Sequence, residues 1–526
     1  MPPIDLANAA PRSPEWWLRR LLARLELDVT NMRRWERYYE GDQPLDFFDA
    51  QVREKFSGRF RRFTANYVAL VVDSFAERLE VTGFRFKDDA ADADLWDLWQ
   101  ANDLDGGSAQ AHTDALIKGR CYALVEPPTG GEPPRITVEN ALDVFVETDP
   151  RDRRKRLAAV KRWIDGDGRL MAFLYLPDRV YRFRSAQVWP TSWQPWDPEG
   201  PFSDMGVFNV AGGFELYEVD GDGGSFPNPM GVVPLVPILN RPRIGSAQGR
   251  SEVNPITSNQ DLVNYYRAMS VVAARYLAIP QRWVKNLEVE TDPVTGQPRP
   301  PFKGGIADLW VVEPMAGDDP RASIDAAQTE FGQFPAADLS SYLRLTAQEI
   351  TGLASVAGLP YYYLLDTSMQ SIAAPSGESI KSSEARLNKK IDHIEISFGE
   401  GWEETMRVAL KAMGDDRWKL RNAETLWAPA EVINEAVRTD AVTKQRAAGL
   451  IDDRLSLEAL GYSPLTIKRL LADKAKREEE AKKEAEEAAA NAGAGTAPGF
   501  QNGASAQPGR PTPPAPRAPG SPTAVA

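Results

Sequence analysis

Apolar positions change their period several times along this chain, and each change marks an element. From 12 to 40 they recur at three- and four-residue steps, Trp17, Leu21 and Leu25, then Met32, Trp35 and Tyr39. That spacing predicts a helix closed by Gly41-Asp-Gln-Pro44. A second helix is predicted over Phe63 to Arg78, running into the alternating strand Leu79 to Phe86. Trp96, Trp99 and Leu104 mark a short helix, and 107–119 another, followed by the strand Cys121 to Glu126. Between 120 and 245 the period falls to two, with strands at Arg135–Val138, Val144–Val146, Ala159–Ile164, Met171–Leu176 and Val180–Phe183. Pro and Gly crowd 190–245, so the region reads as hairpins.

Helical steps return at Asn254-Pro255, an N-cap followed by proline, with Leu262, Tyr266, Met269, Ala273 and Tyr276 on one stripe up to Pro280. Residues 281–333 interrupt them with strands near Trp283–Val289 and Leu309–Val312 around the turn Asp292–Gly296. A partner helix resumes near Ala336 with Leu339, Leu343, Ile350 and Leu353, and stops at Gly358-Leu-Pro360. After a connector over 361–377 rich in Tyr, Ser and Ala, Ile380, Leu387, Ile391, Ile394, Phe398, Trp402, Met406, Leu410 and Met413 keep helical steps without a break. A helix of about 35 residues is about 50 Å long, several times the usual globular length. Lys381, Lys389, Lys390 and later Glu400, Glu403, Glu404 are expected on its solvent face. Short helices are expected at Pro429–Ala448, Ser456–Leu460 and Pro464–Leu471, then a solvated Lys/Glu/Ala run to Glu487, and a disordered Gly/Ala/Pro tail over 491–526.

Composition narrows the function classes. With 42% hydrophobic and 9% aromatic residues the chain is globular. Its net charge of −13 argues against a protein that holds DNA by whole-molecule attraction. The expectation is a soluble, cytosolic protein, with no apolar run long enough for a bilayer, no signal-peptide pattern at the start and one cysteine, Cys121, read as a buried strand residue. There is no G-x-x-x-x-G-K-[ST] loop for ATP, and the two histidines, His112 and His393, lack metal-ligand neighbours. Asp165-Gly-Asp167-Gly168 and Asp220-Gly-Asp222-Gly223 read as hairpin turns, since Arg169 occupies the third ligand place a calcium loop would need. No catalytic, metal or cofactor-binding residue is assigned. The rival reading is a metal-dependent enzyme on nucleic acid or nucleotides, with Asp88, Asp89, Asp92 and Asp94 as its first cluster to test.

The order of elements, β-rich region, helix, small β insertion, helix, connector, very long helix and terminal helices, resembles the portal proteins of tailed phages, the siphophage Gp6-like family. Local patterns carry the likeness further: Trp35-Glu-Arg-Tyr-Tyr39-Glu-Gly41, Asn66–Asp73, Ile350-Thr-Gly352 through Gly358-Leu-Pro360, Ser376-Gly377-Glu378-Ser-Ile380-Lys381, and Phe398-Gly399-Glu-Gly-Trp402. The resemblance implies an α+β portal fold with a wing at 1–253, stem helices at 254–280 and 336–355, a clip at 281–335, a tunnel loop at 356–377, the long helix and wing return at 378–427, and crown helices at 428–490. It implies a non-enzymatic ring, commonly a dodecamer, at one capsid vertex of the virion, assembled in the host cytoplasm, through which double-stranded DNA is packaged and ejected. Its partners would be the large terminase subunit, a head–tail connector, and the major capsid and scaffolding proteins, with no membrane and no cofactor. Ser376, Gly377, Lys381 and Lys389 are the candidate channel residues, and Arg282, Lys285, Arg299 and Lys303 the candidate clip contacts. Another phage connector or scaffold protein is the alternative within the same setting.

Overall fold

The computed structural model describes residues 9–43, 64–86, 92–188, 213–219, 221–245, 248–278, 282–285, 293, 309–312, 330–333, 339–364, 377–430 and 435–493. Helix α1 (Pro14–Tyr39) starts as the sequence predicts, with Pro14 in its first turn and the Ser13 hydroxyl accepting from the Trp16 amide at 3.2 Å. Its apolar stripe, Leu18, Leu21, Leu25, Val29 and Met32, is buried against a sheet rather than against another helix. After it come α2 (Tyr67–Ala76), β1 (Val81–Phe86), α3 (Ala93–Ala101), α4 (Leu104–Lys118), β2 (Arg120–Glu126) and β3 (Arg135–Glu139). The sheet under α1 is antiparallel and made from β4 (Val144–Thr148), β5 (Arg156–Ile164), β6 (Arg169–Tyr175), β7 (Arg179–Val188), β8 (Phe214–Leu216) and β9 (Ser225–Pro227), the last pairing with β7. The Asp165–Gly168 segment is the β5–β6 turn, where the Asp165 carboxylate accepts the Asp167 and Arg169 amides at 3.0 and 2.8 Å.

A second core gathers around the long helix. Strand β10 (Leu235–Leu239) pairs with β2, which also pairs with β3. Helix α5 (Thr257–Ala278) then leads to β11 (Arg282–Lys285), β12 (Leu309–Val312) and β13 (Glu330–Gln333). These three strands form a sheet in which β11 is central, parallel to β12 and antiparallel to β13. β13 was not foreseen: Glu330-Phe-Gly-Gln carries one large apolar residue in four, too little for a period. Helix α6 (Ser340–Ala357) packs back along α5, the Asn259 amide donating to Glu349 at 3.1 Å. It ends on Gly358 at φ +83, a left-handed position that glycine adopts without steric cost, as the sequence reading expects.

Helix α7 (Gly377–Met413) is one unbroken helix of 37 residues. It is followed by β14 (Ala423–Trp427), antiparallel to β1, then α8 (Glu435–Ala447), α9 (Asp453–Ala459) and α10 (Pro464–Gly493). The sequence separates Pro464–Leu471 from the charged run after it; the structure makes them one helix of 30 residues. The described residues up to Ile467 form one compact unit and those from Lys468 another. Within the second, Lys483–Glu479 and Lys474–Glu478 are paired at helical i,i+4 spacing.

Two sequence expectations are corrected here. Asn254 does not cap α5: the Ser251 hydroxyl accepts the Val253 and Asn254 amides, and the Asn254 side chain is drawn off to accept from the Trp35 indole at 3.1 Å. Lys390 is not on the solvent face of the long helix but turned inward onto a buried carboxylate.

Candidate functional site

The organising feature is α7. Leu387, Ile391, Ile394, Phe398, Trp402, Met406 and Leu410, three or four residues apart, are each 0% exposed. At its middle the Trp402 indole donates to His112 Nε2 at 2.8 Å, so Nδ1 carries the ring proton and donates to the Leu79 carbonyl at 3.0 Å. Phe398 stacks on the imidazole at 5.0 Å and Trp99 meets Trp402 edge-on at 5.0 Å. Burial pushes His112 down to about 4, so a neutral imidazole joins α4, α7 and the β1 approach. It is a structural histidine. Cys121 lies buried on β2 with its thiol pushed up by desolvation, as a strand cysteine rather than a nucleophile.

A buried ionic junction lies toward the N-terminal part of α7. Glu252, 4% exposed, accepts from Lys390 at 2.6 Å, from Asn240 at 2.8 Å and from Arg241. Burial alone would raise this carboxyl, but Lys390 and Arg241 beside it hold it below the usual range. The Lys390 ammonium also donates to the Ala357 carbonyl at the end of α6 at 2.6 Å and lies 4.0 Å from the Phe75 ring of α2. One lysine thus ties α2, α6, α7 and the segment leading into α5. Sequence reading missed it because its neighbour Lys389, of the same type, is exposed and pairs only with Asp392 at 3.2 Å.

The sequence-derived candidates fall in two places and are not brought together by described contacts. Gly377 opens α7 and Lys381 lies one turn further; Ser376 lies outside the described residues. Arg282 and Lys285 are the first and last residues of β11, at the register of Leu309 and Gln333, and of Val312 and Glu330; Arg299 and Lys303 lie outside the described residues. In the rival metal cluster, Asp88 and Asp89 are likewise outside. Asp92 caps α3, accepting the Asp94 and Leu95 amides, and its other oxygen meets Arg417 at 2.5 Å. Those commitments are those of a helix cap and an ion pair.

Another feature had a sequence signal that was passed over: Arg151-Asp-Arg153-Arg154-Lys155-Arg156. It forms the β4–β5 hairpin and one wall of a groove of about 550 Å³ whose other walls are β10 and the face of α7 turned away from the core. Among the described residues no helix is long and apolar enough to cross a membrane.

A mixed α+β body, a long core helix and a pair of antiparallel helices with a small sheet inserted between them are the features that the comparisons have to match. The chain belongs to the phage portal protein family of the SPP1 Gp6-like type, whose family model matches residues 18–490. It is 30% identical over 451 residues to a portal protein of Mycobacterium phage D29, covering 82% of this chain and 83% of the relative. It is 31% identical over 416 residues to one of Mycobacterium phage L5, covering 76% of each. A solved structure described as the neck of an empty gene transfer agent particle aligns over 78% of this chain and 93% of its own, at 13% identity and a TM-score of 0.39, too low to match elements one to one.

Proposed function

We propose that this chain is one subunit of a closed ring, a dodecamer, at one vertex of a phage capsid, through which double-stranded DNA enters during packaging and leaves at ejection. The observation that carries the reading is the family match over residues 18–490 joined to a helix pair, α5 and α6, that holds its own small sheet at one end. In this reading residues 1–253 are the wing, 254–280 and 336–355 the stem, and 281–335 the clip. Residues 356–377 are the tunnel loop, 378–427 the long helix and wing return, 428–490 the crown, and 491–526 a tail. The stem supports a ring by what it leaves uncovered. Leu262 and Val271 on α5, and Leu343 on α6, are 40, 41 and 58% exposed in the single chain, as side chains awaiting a neighbouring copy are.

The clip would dock the large terminase subunit and later the head–tail connector, with Arg282, Lys285, Arg299 and Lys303 as contacts. The wing and crown would meet the major capsid and scaffolding proteins. Ser376, Gly377, Lys381 and Lys389 would face the passing DNA, touching phosphates without reading bases. An acidic chain suits that task, because strong neutralisation of phosphates would hold the DNA in place. The subunit would act without catalysis of its own, in the host cytoplasm during assembly and in the virion afterwards. The test is sedimentation of the purified chain with negative-stain imaging. Holed rings of about a dozen 58.2 kDa subunits are expected; a compact dimer that hydrolyses nucleotide would overturn the reading.

A further inference from the structure

The groove beside α7 has a composition out of keeping with a chain of net charge −13. Five arginines line it against two glutamates, Glu400 and Glu404. Arg156 and Arg407 share Glu404, at 2.8 and 2.9 Å, and Arg153 donates to the Ile244 carbonyl at 2.7 Å, fixing the hairpin to the chain after β10. Ile396, on its α7 wall, stands 65% exposed over a lining that includes Val236 and Leu239, and Ile244, whose carbonyl Arg153 holds, is 93% exposed. A phosphate backbone has no use for such residues. A protein surface that is acidic with apolar points does.

The same chain carries a surface of the opposite sign. Between Lys87 and Lys118 there is no Lys or Arg and there are eight aspartates. Asp94, Asp97, Asp103 and Asp105 stand exposed on the α3–α4 corner, with Arg417 3.7 Å from the Asp94 carboxylate as a neighbouring cation. The two surfaces lie on opposite sides of α7. Trp99 of α3 packs on Trp402, while the groove residues His393, Ile396, Glu400, Glu404 and Arg407 lie roughly 120–180° round the helix from Trp402 at 100° per residue. A head-to-tail ring needs complementary patches on opposite sides of each subunit.

We infer that the arginine-lined groove of one copy receives the acidic α3–α4 corner of the next, as a charge-matched contact between neighbouring wings. The inference rests on the ring reading above and assigns one of its interfaces. It steers association and fixes register as well as contributing affinity.

Charge reversal with mixing tests it on the full chain. One protein carries Arg154→Glu on the groove wall with Arg151→Glu beside it on the same hairpin, the other Asp94→Lys with Asp97→Arg. All four side chains are exposed, and melting curves check each fold. Each protein alone is expected to need about a hundredfold or more higher concentration to form rings, because like charges then face across the contact. An equal mixture is expected to recover rings in which the two alternate, since each reversed groove then meets a reversed corner. If the Arg151/Arg154 protein alone assembles like the unaltered chain, or if folded mixtures stay dissociated, the inference is overturned while the ring reading stands. Reversal that weakens binding to a DNA duplex yet leaves rings intact also overturns it, making the groove a phosphate surface. Failure of the unaltered chain to form rings at all overturns the ring reading instead.

Discussion

Adjacent lysines on one helix do opposite things here. Lys389 is 70% exposed at its side chain and pairs with Asp392, an arrangement worth little in water. Lys390 is one residue further, 100° round the helix, and its ammonium meets a carboxylate that is 3% exposed. Replacing Lys390 with Met leaves Glu252 buried with Arg241 as its only near cation among the described contacts. The expected loss is about 3–5 kcal/mol in a denaturant titration, the cost of breaking a buried pair from one side. Lys389→Met is expected to stay within about 0.5 kcal/mol, as surface substitutions do. Equal effects would contradict the geometry. The same contrast explains why the junction was illegible in the sequence. Lys390 is far along the chain from Asn240 and Glu252, and nothing in the Lys-Lys dipeptide says which residue turns inward. The two histidines were easier to weigh: no ligand-type neighbours surrounded His112, and the fold uses it as a neutral hydrogen-bond relay between Leu79 and Trp402.

At the scale of elements, periodicity alone located the helices of the body and its strands as far as β7, because burial on one face enforces the period, while the Pro- and Gly-crowded stretch that holds β8, β9 and β10 was read only as hairpins. The seven large apolar side chains named on α7 are a place where sequence and packing repeat the same pattern, whereas in β6 Leu170, Met171, Ala172, Leu174 and Tyr175 are all buried and burial does not alternate. What escaped was made by distance in sequence. β13 is a strand because β11 offers it an edge, and the arginine-lined groove combines residues 153–156, 236–242 and 393–407. Glycines on α7 show how an element's neighbours decide a residue's worth. A methyl group on Gly401 would lie 2.9 Å from Ile238 Cγ1 and 3.1 Å from the Ile238 backbone, so the helix and β10 approach each other through the missing side chain. On Gly399 it would find Thr425 at 3.5 Å, an ordinary contact. Gly399→Ala is therefore expected to stabilise by about 0.5–1 kcal/mol, the helix propensity gained. Gly401→Ala is expected to destabilise by about 1–3 kcal/mol through overpacking. Paired thermal melts measure both, and a common sign would refute the close approach of β10.

For the whole molecule the question is which parts fold for themselves and which exist to be touched by others. Strands β11, β12 and β13 pair only with one another, so the described sheet contributes no strand to the body. The helices leading to it run antiparallel, with Asn259 near the start of α5 opposite Glu349 and Gly352 late in α6. On that register α5 runs past the start of α6 by about nine residues, or about 13 Å. A flexible linker of about eight Gly and Ser residues has a typical span of about 16 Å and would close the gap. Replacing 281–335 with such a linker should therefore leave the body intact. The expected result is an unchanged cooperative melt, within a few degrees, and retained helical circular dichroism. Loss of the cooperative transition would mean that the insertion is part of the body's stability and not an appendage borne by the stem. With the body intact, the shortened protein separates two roles that the ring reading assigns to different ends of one subunit. Rings that still assemble from it but no longer capture the packaging motor would place motor docking on the insertion and assembly on the remainder of the chain.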